Sequence, residues 1–134
     1  MVNYKVIYMR QPPGYTVSNQ NGIPLVCRLR KTLYGLKQSG RRWYQKLVEI
    51  MEKLGFLRCE VDQAVFFKQG KGRLIVVLVH VDDCSIVANS SSLVTGFKTE
   101  IAKHVNITDL GDLHWILGIE VLCIREERRI LLSQ

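Results

Sequence analysis

Residues 73 to 88 read RLIVVLVHVDDCSIVA. Leu74 to Val79 is an unbroken apolar run, rich in β-branched residues, and Cys84 to Ala88 continues in the same character. Runs of this length and composition read as strands. An unbroken run predicts a strand buried on both faces. Between the two lie Asp82 and Asp83, so the segment predicts a hairpin with two acids at its tip. At an effective dielectric of about 20, two carboxylates about 4 Å apart repel by roughly 4 kcal/mol. A hairpin turn needs no such pair, because Asn-Gly closes one without it. A divalent cation reverses the sign of the interaction. Hard carboxylate oxygens suit magnesium, and phosphoryl-transfer enzymes use such groups to hold two cations. A solvated turn would present the same two residues, and the pair alone leaves both readings open.

Working outward, Ala64 to Lys68 reads as a further strand, joined to the run at 73–81 by the turn Gln69-Gly70-Lys71-Gly72. Downstream, Ser90, Ser91 and Ser92 form an N-cap cluster. Leu93, Phe97, Ile101 and Val105 follow at four-residue steps and predict an amphipathic helix near 92–105. Gly111 marks a turn, and residues 114 to 124 read as a last strand with a possible bulge at Gly118. Upstream, Trp43, Leu47, Ile50, Met51 and Leu54 make one apolar stripe, so 41–54 reads as a helix stopped by Gly55. Residues 11 to 24 hold all three prolines and read as a loop, with a short strand at Leu25 to Leu29 after it. The expected class is α+β, with a mainly antiparallel sheet and two helices packed on one face.

The charge is unevenly spread. The 134 residues carry a net +7, yet residues 1 to 48 contain no Asp or Glu and nine basic residues. Such asymmetry favours a polyanionic partner, although a solvated basic face would look the same. Cys27, Cys59, Cys84 and Cys123 are widely separated and show no zinc-ligand spacing, which suits free thiols in a reducing compartment. The longest apolar run is far too short to span a bilayer, and no N-terminal stretch reads as a signal peptide. A soluble intracellular protein without a membrane partner is therefore expected, cytoplasmic or nuclear. The length suggests one domain or part of one.

The hairpin sequence VLVHVDDCSIVA resembles the catalytic hairpin of reverse transcriptases, in which an aromatic residue, any residue and two aspartates occupy the turn. Four further segments resemble the Ty1/copia retrotransposon type, in the right order: IYMRQPPGY at 7–15, VCRLRKTLYGLKQSGRRWYQKL at 26–47, LGF with VDQAVFFK between 54 and 68, and DLGDLHWILGIEV at 109–121. The resemblance implies that residues 1–134 are part of a polymerase palm that uses magnesium, an RNA or DNA template-primer and deoxynucleotides. By matching positions, it implies that Asp82 is a catalytic, metal-binding acid and that Asp83 is its less demanding neighbour. It places Tyr34, Gly35, Lys37 and Ser39 near the incoming nucleotide and template. Lys37, Arg41 and Arg42 could neutralise phosphates. His80, on the hairpin, is expected to share a face with Asp82 by strand alternation.

The sequence departs from the family at three points. His80 stands where an aromatic residue is usual; it could be a third ligand, but reads better as a tolerated change. Gly40 stands where proline is usual, which loosens the start of the following helix. The family's first catalytic aspartate lies on a strand upstream of the segment matching IYMRQPPGY, and MVNYKV does not match that strand. The 134 residues are therefore expected to lack that acid, together with fingers, thumb and RNase H regions, and to be inactive in isolation. The strand at 74–79 is expected to have an unpaired edge unless residues near 3–9 fill it, which would favour self-association. A non-catalytic nucleic-acid-binding remnant, or a gene fragment without function, would carry the same residues.

Overall fold

The computed structural model describes residues 6–134. The chain divides into two compact units, Met1–Gln45 and Lys46–Gln134, and each is described by itself.

In the first unit, β1 (Tyr8–Arg10) and β2 (Val26–Arg28) form an antiparallel ribbon with Tyr8 opposite Arg28. The proline-bearing segment between them is a loop, as expected, and it is tied down by one side chain. Gln11 donates from Nε2 to the Val17 carbonyl at 2.8 Å and accepts the Val17 N–H at 2.7 Å. β1 has no counterpart in the sequence reading, because a three-residue strand is too short for a periodic signal. Of the segment 3–9, residues 3–5 lie outside the described residues. Tyr8 and Met9 pair with β2, not with the long hairpin.

The helix α1 (Ser39–Lys53) begins in the first unit and ends in the second. It starts two residues earlier than its apolar stripe suggests, so Gly40 lies within its first turn. Leu47, Ile50 and Met51 are fully buried. The helix ends in a Schellman motif: Phe56 N–H donates to the Met51 carbonyl and Gly55 N–H to the Glu52 carbonyl, both at 2.9 Å. Gly55 has φ 80°, a conformation that glycine adopts without strain. The motif turns the chain so that Phe56 is buried, edge-on to Phe97 at 5.2 Å between ring centres.

The second unit holds a four-stranded antiparallel sheet in the order β3 (Leu57–Arg58), β4 (Val65–Gly70), β5 (Arg73–His80), β6 (Asp83–Ala88). The β4–β5 turn is Lys71-Gly72, both at positive φ, as a tight two-residue hairpin requires. Cross-strand register places Phe66 opposite Val77 and Val77 opposite Ile86. With Ile75 two residues from Val77, this face is the buried one. Lys68, on the same face, donates to the Leu54 carbonyl just after α1 at 2.8 Å, and α2 (Ser91–Ala102) packs against β6. Phe97 and Ile101 are buried on α2. Ser90 occupies the N-cap position, but its hydroxyl pairs with that of Ser92 at 2.7 Å and does not cap the helix. A three-stranded antiparallel sheet follows, β7 (Trp115–Ile116), β8 (Ile119–Ile124) and β9 (Arg129–Ser133).

Three expectations are corrected. The apolar run is buried on one face only: Ile75 and Val77 are inside, whereas Leu74 and Leu78 on the opposite face are each 40% exposed. The run also has no free edge, because β5 pairs with β4 on one side and β6 on the other. Among the described residues β6 has no partner on its outer side, where alternation turns the N–H and C=O groups of Cys84, Ile86 and Ala88 away from β5. Finally, Gly118 is not a bulge. Leu117 at φ 52° and Gly118 at φ 81° form a tight turn that splits the expected strand into β7 and β8.

Candidate functional site

The acidic hairpin forms as its sequence predicts. His80 is the last residue of β5 and Asp83 the first of β6, and they are opposed in the register. Val81 and Asp82 make the two-residue turn. Val81 adopts φ 54°, a left-handed conformation that costs a β-branched residue roughly 1–2 kcal/mol. Strain of this kind collects at functional turns. The alternation that was to put His80 and Asp82 on one face stops at His80, because Asp82 lies in the turn. Asp83 is the acid that faces His80. His80, Val81, Asp82 and Asp83 are all exposed.

Neither Asp82 nor Asp83 enters any ion pair found among the described residues. Two adjacent, un-neutralised carboxylates are the donor set that a hard divalent cation fits. They do not build a closed cage: among the described residues no cluster of three or more His, Cys, Asp or Glu side chains is arranged to hold a metal. Magnesium tolerates such a partial shell, because water and substrate phosphates complete it. Beside the pair, Cys84 is exposed as a residue, but its thiol is tucked in enough that burial, and then the charge of Asp83, push its pKa above the ordinary value.

The other predicted residues lie in the first unit. Tyr34 is 94% exposed, and Gly35 takes φ 86° in the turn beside it. Ser39 opens α1, and its hydroxyl donates to the Leu33 carbonyl. That bond folds residues 33–39 back on themselves and fixes the loop before the helix. Lys37 and Arg41 are exposed, and Arg42 is half-buried. Arg42 lines a cleft of about 680 Å³ together with Val6, Ile7, Arg28, Leu29, Arg30 and Lys31. The sequence reading counted Arg28, Arg30 and Lys31 only as charge. The alternation in Arg28-Leu29-Arg30 at a strand end was the available signal that these cations share one side.

The family model described as reverse transcriptase (RNA-dependent DNA polymerase) matches residues 1–134. The chain is 37% identical over 129 residues, 96% of its length, to the retrovirus-related Pol polyprotein from transposon TNT 1-94 of Nicotiana tabacum, and covers 10% of that protein. It is 36% identical over 114 residues to the Pol polyprotein from transposon RE1 of Arabidopsis thaliana, covering 85% of the chain and 8% of the relative. Against the transposon Ty1-BR Gag-Pol polyprotein of Saccharomyces cerevisiae it is 28% identical over 124 residues, with 86% and 6% covered. The chain thus spans a tenth or less of the length of these relatives. No solved structure matches it. With an acidic pair at a hairpin tip in an antiparallel α+β setting, and a family match over its whole length, the chain belongs to the reverse transcriptases, of the Ty1/copia retrotransposon type.

Proposed function

We propose that residues 1–134 are palm sequence of a retrotransposon RNA-directed DNA polymerase, with Asp82 and Asp83 as its metal-binding acids. The observation that carries this is the exposed, un-neutralised pair Asp82-Asp83 at the tip of the β5–β6 hairpin in a chain of this family. Magnesium held there would neutralise the phosphates of the incoming deoxynucleotide and favour attack by the primer hydroxyl. Asp82 supplies one carboxylate from the turn and Asp83 a second from the first position of β6. Tyr34, Gly35, Lys37 and Ser39 form the loop and helix start that receive nucleotide and template, and Gly35 lets backbone approach the ligand closely. Arg41 and Arg42 offset phosphate charge.

Two-metal chemistry needs carboxylates from more than one place. Among the described residues no third His, Cys, Asp or Glu joins the pair, so these 134 residues in isolation are expected not to extend a primer. An intracellular setting fits the four free cysteines. Among the described residues no helix is long and apolar enough to cross a membrane. Self-association is supported by the β6 edge, unpaired among the described residues, and by the half-exposed apolar face of β5.

Manganese, a paramagnetic stand-in for magnesium, tests the site directly. Titrated into the isotopically labelled chain, it is expected to broaden the amide signals of residues 80–84 first, and Asp82→Asn should remove the effect. Broadening centred elsewhere, or unchanged in the variant, would refute the assignment.

A further inference from the structure

Leu57, Phe67, Val76 and Val87 stand in one row across all four strands of the main sheet, because Leu57 is opposed to Phe67, Phe67 to Val76 and Val76 to Val87. Alternation places this row, with Leu74 and Leu78, on the face turned away from the buried Phe66, Ile75 and Val77. Leu57 is 63% exposed and Val87 60%, so the row ends on both sides in apolar side chains open to water. The two ends of the same face differ in charge. Asp82 and Asp83 lie at the β5–β6 turn, whereas Lys71 and Arg73 lie at the β4–β5 turn, at the opposite end of β5. All four are exposed, and none enters an ion pair found among the described residues.

We propose that this face binds a second copy of the chain, sheet against sheet, with corresponding strands of the two copies running in opposite directions. A two-fold axis that lies between the sheets and crosses the strands sets the Asp82-Asp83 end of each copy against the Lys71-Arg73 end of the other. Such a contact is isologous, so both charged ends are matched at once and the apolar rows meet between them. An axis running along the strands would set acids on acids and cations on cations, which opposes association. The eight residues of β5 reach about 26 Å and four strands span about 15 Å, a face of roughly 400 Å². A standard interface buries about 800 Å² per partner, so the dimer is weak and concentration-dependent, and its charged ends fix its direction. The inference gives the self-association proposed above a face and a direction, and it requires no bound cation.

The test is sedimentation equilibrium of the 134-residue chain in EDTA at low salt, over a concentration series, with circular dichroism confirming the fold of each variant. The parent is expected to dimerise. Leu57→Lys places a charge on β3, at the side of the sheet farthest from β6, and should weaken the dimer by at least about tenfold. Pairing through the β6 edge would not feel that change. Lys71→Asp/Arg73→Glu makes both ends acidic, and Asp82→Lys/Asp83→Lys makes both basic. Each variant alone should dimerise at least about fivefold more weakly than the parent. Mixed in equal amounts, the two should form a heterodimer within about threefold of the parent's affinity. Neither misfolding nor the loss of a side chain produces such a rescue, so the mixture decides the matter even where Leu57→Lys does not fold. Dimerisation retained in folded Leu57→Lys would assign the contact to the β6 edge and overturn the proposal. A monomeric parent, charge variants that associate as the parent does, or a mixture that stays monomeric would each overturn it too. Because the readout is in EDTA, failure here leaves the Asp82 assignment standing, and failure of the manganese experiment leaves this one standing.

Discussion

His80 closes β5 directly opposite Asp83, which opens β6. Opposed residues of an antiparallel pair project from the same face of the sheet with Cβ atoms about 5 Å apart. The imidazole therefore neighbours the second acid of the pair, while Asp82 stands alone in the turn. A residue so placed can crowd or shield Asp83 without touching a cation held mainly by Asp82. His80→Phe, which installs the aromatic type usual in the family, is expected to change manganese affinity by less than about threefold. Asp82→Asn should lower it by at least about tenfold, since it removes a charged oxygen ligand. A comparable loss in His80→Phe, read by the same amide broadening, would make His80 a ligand.

The turn itself carries strain that can be measured. Val81 at φ 54° has 57% of its surface exposed, so little packing is lost when its side chain is removed. Val81→Gly should relieve roughly 1–2 kcal/mol of left-handed strain, partly offset by about 0.5–1 kcal/mol of added freedom in the unfolded chain. A net gain of up to about 1 kcal/mol is expected in denaturant unfolding. Clear destabilisation would mean that the Val81 side chain holds the hairpin.

The two faces of the main sheet should respond in opposite ways. Phe66 is fully buried opposite Val77, and Phe66→Ala is expected to cost about 3–5 kcal/mol. Leu74 and Leu78 project from the other face, which is half-exposed. Leu74→Lys/Leu78→Lys should leave stability within about 1 kcal/mol while shifting sedimentation towards monomer. A parent chain that already sediments as a clean monomer would argue against self-association.

Asp109 accepts a side-chain hydrogen bond from Lys98 and a backbone bond from Gly111, and these hold its pKa below the ordinary 3.8. A carboxyl with a lowered folded pKa stabilises the fold above its unfolded value, and the contribution fades as pH falls through the folded value. Asp109→Asn should therefore lower Tm at neutral pH, and the gap to the parent should close below about pH 3.8. A gap that persists unchanged at pH 2 would show that the carboxylate charge is not its source.

Much of this was legible before any coordinates. The hairpin around Asp82 and Asp83 was readable because a β-branched run, two acids and a second β-branched run admit few other arrangements. α1 was readable from its stripe and from Gly55, which ends it through a Schellman motif. What escaped did so for different physical reasons. Very short elements, such as β1 and β3, carry too few residues for a period, and β9 is exposed along its whole length, so burial imposes no alternation on it. Burial on one face of β5 escaped because an apolar run looks the same whether or not a partner layer covers both faces; Leu74 and Leu78 are the residues where the difference shows. The acids of the candidate site stood out as an adjacent pair ending an apolar strand, and the family resemblance alone assigned them a role. Its basic cleft did not stand out, because Arg28, Arg30, Lys31 and Arg42 converge only once β1 and β2 pair.

The central claim is that Asp82 is a catalytic acid of a polymerase palm. It is tested most directly by template-directed deoxynucleotide incorporation in a full-length Ty1/copia-type Pol protein carrying these 134 residues at the matching position. Asp82→Asn is expected to lower incorporation by about a thousandfold, equivalent to about 4 kcal/mol of transition-state stabilisation, with manganese unable to restore it, and the 134-residue chain alone should give none. Incorporation by Asp82→Asn within tenfold of its parent, or Asp82-dependent incorporation by the isolated chain, would contradict the account.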